Sequence, residues 1–162
     1  MTKFLLAAHV LAAIIAVGPV TVAASMFPPT ARRALADPED PPALASVRLL
    51  HRVCRVYAAI GVTVPVFGFA VAGRMHAMGD PWLVASIVLT ALAAAALAGS
   101  VLPRQRGILA SIHRATAAGP QATAVRGQRV IIQLAMITGV FNLLWATVTV
   151  LMIVRPGSTT GA

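Results

Sequence analysis

Charged positions divide this chain into long apolar stretches and short basic ones. Four stretches carry no charge: Phe4–Ala31, Val56–Gly73, Pro81–Pro103 and Val130–Val154. Each can supply the roughly 17–25 apolar residues that a membrane-crossing helix needs. The pattern predicts an all-α, four-helix transmembrane bundle in one domain over residues 1–162. The spans are expected at about 4–27, 54–73, 82–102 and 130–154, with a disordered tail at 156–162.

Local signals refine this. Pro19 follows Gly18 inside the first span and predicts a kink there. Phe27-Pro28-Pro29 should end that helix, with a loop over Pro28–Pro42 and at most one turn near Thr30–Ala36. Asp40-Pro41 reads as an N-cap with proline at the first helical position. From there Leu44, Val47, Leu50 and Cys54 form one stripe and Arg48, Arg52 and Arg55 another, both at three-to-four spacing. That makes an amphipathic interfacial segment leading into the second span, where Pro65 predicts a further kink. The short loop Arg74–Asp80 predicts antiparallel neighbours for the second and third spans. Asp80-Pro81 looks like another cap, and Trp82 sits where interfacial tryptophans are enriched. In Pro103–Gln128, divided at Gly119-Pro120, a separate basic helix over Ile108–Thr116 is expected. The fourth helix should begin near Gln121 and stop at Arg155-Pro156-Gly157.

Composition supports the membrane class. The chain is 59% hydrophobic and 10% charged, whereas soluble domains carry about 25% charged residues. The net charge of +9 does not indicate nucleic acid, because no aromatic-interleaved basic groove is present. The arginines sit at the ends of apolar segments. Arg48, Arg52, Arg55, Arg104 and Arg106 are the expected contacts to anionic lipid headgroups of the bilayer. Ten of the thirteen basic residues fall between the first and second charge-free stretches or between the third and fourth. The positive-inside rule makes those loops cytoplasmic and places both termini outside the plasma (inner) membrane. The first apolar run exceeds the 7–15 residues of a signal-peptide core, so it is read as a retained helix. Abundant alanine and arginine with a single lysine suggest a GC-rich bacterial source.

Candidate chemistry is sparse. Every acid lies outside the spans, which removes paired-carboxylate catalysis within the membrane. Of the four histidines, only His9 lies within a span, and an ionisable residue there is a functional candidate by default. With a rise of 1.5 Å per residue, topology allows His9 to pair with His76 at one face and His51 with His113 at the other. His9 and His76 are therefore the candidate haem b or metal ligands, and no dedicated metal motif is present. Thr138, Asn142, Trp145 and Thr149 form a polar stripe on helix four, suited to interhelical hydrogen bonds or to lining a small cavity. Cys54 reads as a small buried hydrophobe, or else as a lipid-modified or activated thiol.

The segments KFLLAAHVLAAIIAVGP, RLLHRVCRV, DPWLVASI and WATVTVLMIVRP resemble a family of bacterial predicted integral-membrane proteins, domain-of-unknown-function family twenty-two sixty-nine. The resemblance rests most on His9 and on Leu151-Met152-Ile153-Val154-Arg155-Pro156. It implies a four-helix membrane bundle and specifies no activity. A weaker similarity, through His9-Val10-Leu11-Ala12, is to copper-resistance D and HemJ-type membrane proteins. The latter implies haem binding and protoporphyrinogen oxidation. The leading expectation is a small accessory or scaffold component without catalytic machinery, possessing a membrane-protein partner or self-associating. The alternatives are a haem-binding redox protein using His9 and a small-solute channel or transporter.

Overall fold

The computed structural model describes residues 2–75, 79–118 and 124–156. The described residues are all helix and connection, without strands. In chain order the helices are α1 (Thr2–Ala36), α2 (Pro41–Ile60), α3 (Thr63–Met75), α4 (Pro81–Ala96), a π-helical segment (Leu97–Val101), α5 (Leu102–Ala118) and α6 (Ala124–Val154). They combine into four rods, Lys3–Ala36, Pro41–Arg74, Pro81–Ala115 and Gly127–Val154, each long and apolar enough to cross a membrane. The fold is the expected all-α four-helix bundle. Rods of 34 or 35 residues are about 50 Å long, against a hydrocarbon layer of about 30 Å. They therefore overhang, and the interfacial amphipathic segments are continuations of the rods.

Proline placement explains two departures from expectation and one expected irregularity. First, α1 runs through Pro28 and Pro29 to Ala36. The prolines withdraw the donors owed to the carbonyls of Ala24 and Ser25, yet the helix persists because its next turns are buried. Phe27, Ala31 and Ala34 are fully covered, and α1 packs most extensively on α2. Thr30 Oγ1 also donates to the Met26 carbonyl at 2.8 Å. The connection to α2 shrinks to a tight turn at residues 37–40, where Asp40 accepts from the Ala43 amide at 3.4 Å as the predicted N-cap.

Second, the second span breaks at Gly61–Val62. Pro65 cannot donate to the Gly61 carbonyl, and its ring crowds that group. The carbonyl instead accepts from Val64, at 3.1 Å, one residue early. Third, α4 and α5 are one rod, and no separate helix begins at Ile108. Pro103 is absorbed by the π segment, in which the Leu102 amide reaches back to Leu97. Arg104 Nη1 donates to the Ser100 carbonyl at 3.3 Å. The expected division at Gly119-Pro120, a helix start at Gln121 and the tail after Pro156 lie outside the described residues.

The bundle is packed at one end and open at the other. At the arginine-rich end, Phe27, Val47, Val101, Ile112, Ile131 and Leu134 join one core. At the end holding both termini, the only such cluster is Ala72, Trp82 and Leu83, among the described residues. There α1 pairs with α3 and α4 with α6. The second and third spans were expected to be antiparallel neighbours. They pack through α2 and α5 and, at the termini end, through Ala72 of α3 against Trp82 and Leu83 of α4. The break at Gly61–Val62 starts α3 on a new course and leaves a space between the pairs.

Candidate functional site

That space is a cavity of about 1650 Å³ lined by residues of all four spans. Typical small-molecule sites measure about 300–1,000 Å³. Its walls are aliphatic and aromatic, from Leu6, Ile14 and Val17 on α1 to Phe69 on α3, Leu83 and Ile87 on α4, and Met152 on α6. Gly18, beside Pro19 of α1, and Pro65, beside the kink at Gly61–Val62, border it.

His9 provides a polar contact on this apolar wall. It is 8% exposed, and its Nδ1 lies 3.0 Å from the Val64 carbonyl of α3. A carbonyl only accepts, so Nδ1 carries the proton and Nε2 holds the neutral ring's lone pair. Gly68 makes this possible: a Cβ there would stand 3.1 Å from His9 Cε1. The ring therefore lies against α3 backbone, locked in one tautomer, on a residue that lines the cavity.

The rim at the termini end carries a second polar arrangement. Arg155 follows the last residue of α6 and adopts φ 45°. This left-handed conformation costs a non-glycine residue about 1–2 kcal/mol. Three contacts hold it: its amide donates to the Leu151 carbonyl at 2.9 Å, its Nε donates to the Met152 carbonyl at 3.3 Å, and its guanidinium sits 5.6 Å from the Trp82 ring centroid. Asp80 occupies the N-cap position of α4 without capping it. Its carboxylate accepts instead from Trp82 Nε1 at 3.0 Å. Both Trp82 and Arg155 line the cavity.

The remaining expected site residues are dispersed. His76 lies outside the described residues. His51 and His113 have different partners: His51 Nδ1 donates to Gln105 Oε1 at 2.9 Å, and Arg48 donates to His113 Nε2 at 3.5 Å. Arg48, Arg52, Arg55 and Arg106 are exposed at the packed end, and Arg104 is partly covered. The polar stripe splits. Trp145 and Thr149 line the cavity, while Thr138 is buried and Asn142 donates to Ser25 of α1 at 3.1 Å. Thr138 Oγ1 and Asn142 Oδ1 are buried without a hydrogen-bond partner. Cys54 is fully buried, as a small core hydrophobe would be, and so is shielded from lipid modification.

Sequence reasoning passed over Gln105, which is also fully buried. It accepts from His51 and donates to Cys54 Sγ at 3.5 Å, tying α5 to α2. The signal was available: Val101, Gln105, Ile108, Ile112 and Ala115 repeat at spacings of four and three, and all are buried. The flanking Arg104 and Arg106 drew the segment toward a solvated reading. Gln105→Leu should destabilise the bundle by about 1–2 kcal/mol by stranding the His51 donor. Exposed Gln128→Leu should change stability by less than about 0.5 kcal/mol. Denaturant titration of the detergent-solubilised protein, followed by circular dichroism, measures both.

In comparisons with known proteins, the chain matches no family model, no curated sequence and no solved structure.

Proposed function

We propose that this chain is a multi-pass protein of the plasma (inner) membrane that binds an apolar ligand drawn from the bilayer. It acts as an accessory component without catalytic machinery of its own. The cavity at the termini end carries this reading, because a bundle built only to hold its helices together has no use for so large a space beside a rigidly oriented histidine. Ten basic residues on the packed end against three elsewhere favour a cytoplasmic packed end and an open end in the outer leaflet. The apolar lining suits an apolar occupant better than the hydrated solute of a channel. This role is compatible with the resemblance to predicted integral-membrane proteins on His9 and the Arg155-Pro156 exit.

The chain's two tryptophans, Trp82 and Trp145, both line the cavity, so binding reports itself. Titration of a pyrene-labelled long-chain alcohol into protein in phosphatidylcholine nanodiscs should give saturable energy transfer from tryptophan to pyrene. His9→Leu should alter the affinity. Transfer that rises linearly with probe, as for partition into bulk lipid, overturns the reading.

One observation favours a more specific occupant. A ligating histidine characteristically donates its other ring N–H to a carbonyl or carboxylate, which is the bond His9 makes to Val64. His9 Nε2 would then be free to ligate the iron of haem b, and the cavity volume accommodates that group. Bound haem would supply one-electron chemistry; the chain's own contribution is to orient the imidazole and exclude water. A Soret band in the purified protein that disappears with His9→Ala supports this occupant, and its absence leaves only the apolar-ligand reading.

A further inference from the structure

We infer that the cavity's ligand is an anionic amphiphile whose apolar tail fills the cavity and whose phosphate or carboxylate head is held by Arg155. The inference rests on the ligand-binding reading of the cavity above and adds the ligand's chemical class.

Among the described residues, Arg155 is the single permanently charged one on the cavity lining, and no acid lines it. Its guanidinium is oriented but not consumed. Nε donates to the Met152 carbonyl and the plane lies near Trp82. The Nη1 and Nη2 groups have no hydrogen-bond partner among the described residues. Those two nitrogens present donors in the fork geometry that matches phosphate or carboxylate oxygens.

Asp80 makes no ion pair with the guanidinium; its Oδ2 accepts from the Trp82 indole N–H at 3.0 Å. Trp82 thus holds the anion on its edge and the cation near its ring. The backbone adds an independent observation. Arg155 adopts a left-handed φ of 45° immediately before Pro156, where glycine would sit without strain. A cap needing only that shape would use glycine; arginine there keeps a cation at the rim. Strained non-glycine residues concentrate at binding sites for this reason.

His9 fixes the scale. It lies six residues along α1 from Lys3, roughly 9 Å further into the span. A ligand anchored at Arg155 therefore passes the imidazole on its way into the apolar part. This order, with a cation at the rim, a neutral polar atom inside and hydrocarbon beyond, is that of an amphiphile's head, linker and tail.

The test compares two probes of equal chain length in phosphatidylcholine nanodiscs: a pyrene-labelled sixteen-carbon alcohol and its phosphate monoester, both read by energy transfer from tryptophan. The parent protein should bind the phosphate more tightly than the alcohol. Arg155→Gln should weaken the phosphate by about tenfold or more and leave the alcohol unchanged. Arg155→Lys should recover part of the loss, and Arg155→Gly, which relieves the backbone, should behave as Arg155→Gln does. If neither probe binds saturably, the cavity reading fails and this inference with it. If the alcohol binds but the phosphate-to-alcohol ratio is the same in parent and Arg155→Gln, the cavity stands and this inference is overturned, Arg155 being only a helix cap. Inorganic phosphate alone should not displace the ester; displacement at comparable concentration would show a simple anion site and overturn the amphiphile. Replacing part of the phosphatidylcholine by phosphatidylglycerol separates the sources. Displacement assigns the head to a bilayer lipid and its absence to a free amphiphile, and either keeps Arg155 as the holder.

Discussion

Phe27→Ala should lower the unfolding free energy by about 2–3 kcal/mol, an effect concentrated at the packed end. Phe27 is fully buried in the core that joins α1 to α2, α5 and α6. In a water-soluble core, removing a phenyl ring costs about 3–5 kcal/mol, part of it lost transfer from water. Within or beside a bilayer the unfolded reference is already apolar, so that part shrinks. What remains is the lost dispersion contact around an unfilled hole. Leu143 is the matching control: it is 69% exposed, hence lipid-facing, and Leu143→Ala should change stability by less than about 0.5 kcal/mol. Denaturant titration of the micelle-bound protein, followed by circular dichroism, measures both. A Phe27→Ala cost as small as that of the control would show that the packed end is not the rigid part of the bundle. The open end would then have no fixed frame from which to hold a cavity.

The spans were legible in the sequence because they depend on one bulk property, the absence of charge over a membrane's width. The Asp40 cap was legible because it depends on adjacent residues. The Leu44, Val47 and Cys54 stripe could be read because helical periodicity survives without tertiary context. Helix ends were less legible. Pro28-Pro29 and Pro103 have the local chemistry of terminators, but burial of Ala31 and Ala34 in one case and a π segment in the other carries the helix past them. Pro65 had the opposite outcome and produced the expected kink, three residues upstream at Gly61–Val62. Nothing local distinguishes these cases, since the difference is made by neighbouring helices.

The same division applies to the site. His9 was identifiable as an ionisable residue inside a span, but its tautomer needed the Val64 carbonyl, 55 positions away. Arg155 looked like an ordinary positively charged helix exit. Its left-handed backbone, its contact with Trp82 and the hydrogen bond from Trp82 to Asp80 depend on where α4 begins beside the end of α6. A small cavity beside the helix-four stripe was one of two expectations, and Trp145 and Thr149 do line the cavity; its size was not expected, because a short loop between spans normally means close packing, and here the loop joins helices that diverge.

A double substitution, Gly18→Trp with Ala91→Trp, should abolish ligand binding while leaving the fold intact. Gly18 of α1 and Ala91 of α4 both line the cavity, on different helices, and both are exposed. A Cβ at Gly18 meets no atom within 4 Å, so an indole enters space already present. Each indole covers roughly 200 Å² of apolar surface, and the two approach from opposite walls. Each single variant should weaken the pyrene alcohol severalfold, and the pair by more than about tenfold. Stability should stay within about 0.5 kcal/mol of the parent, because the helix propensity gained at Gly18 is given back at Ala91. Gly139→Trp is the control. Its Cβ also meets nothing within 4 Å, but it does not line the cavity, so binding should be unchanged. Gly68 differs from both glycines, since a Cβ there would press on His9 at 3.1 Å and disturb the histidine as well as the volume. Because the added indoles change energy transfer, the probe's own polarisation is the appropriate signal. Parent-like affinity in the double variant would place the bound probe on the lipid-facing surface of the bundle, and the open end would then be a packing irregularity without a ligand. Loss of binding in the double variant but not in Gly139→Trp locates the ligand between the α1–α3 and α4–α6 pairs, where the break at Gly61–Val62 opens the bundle.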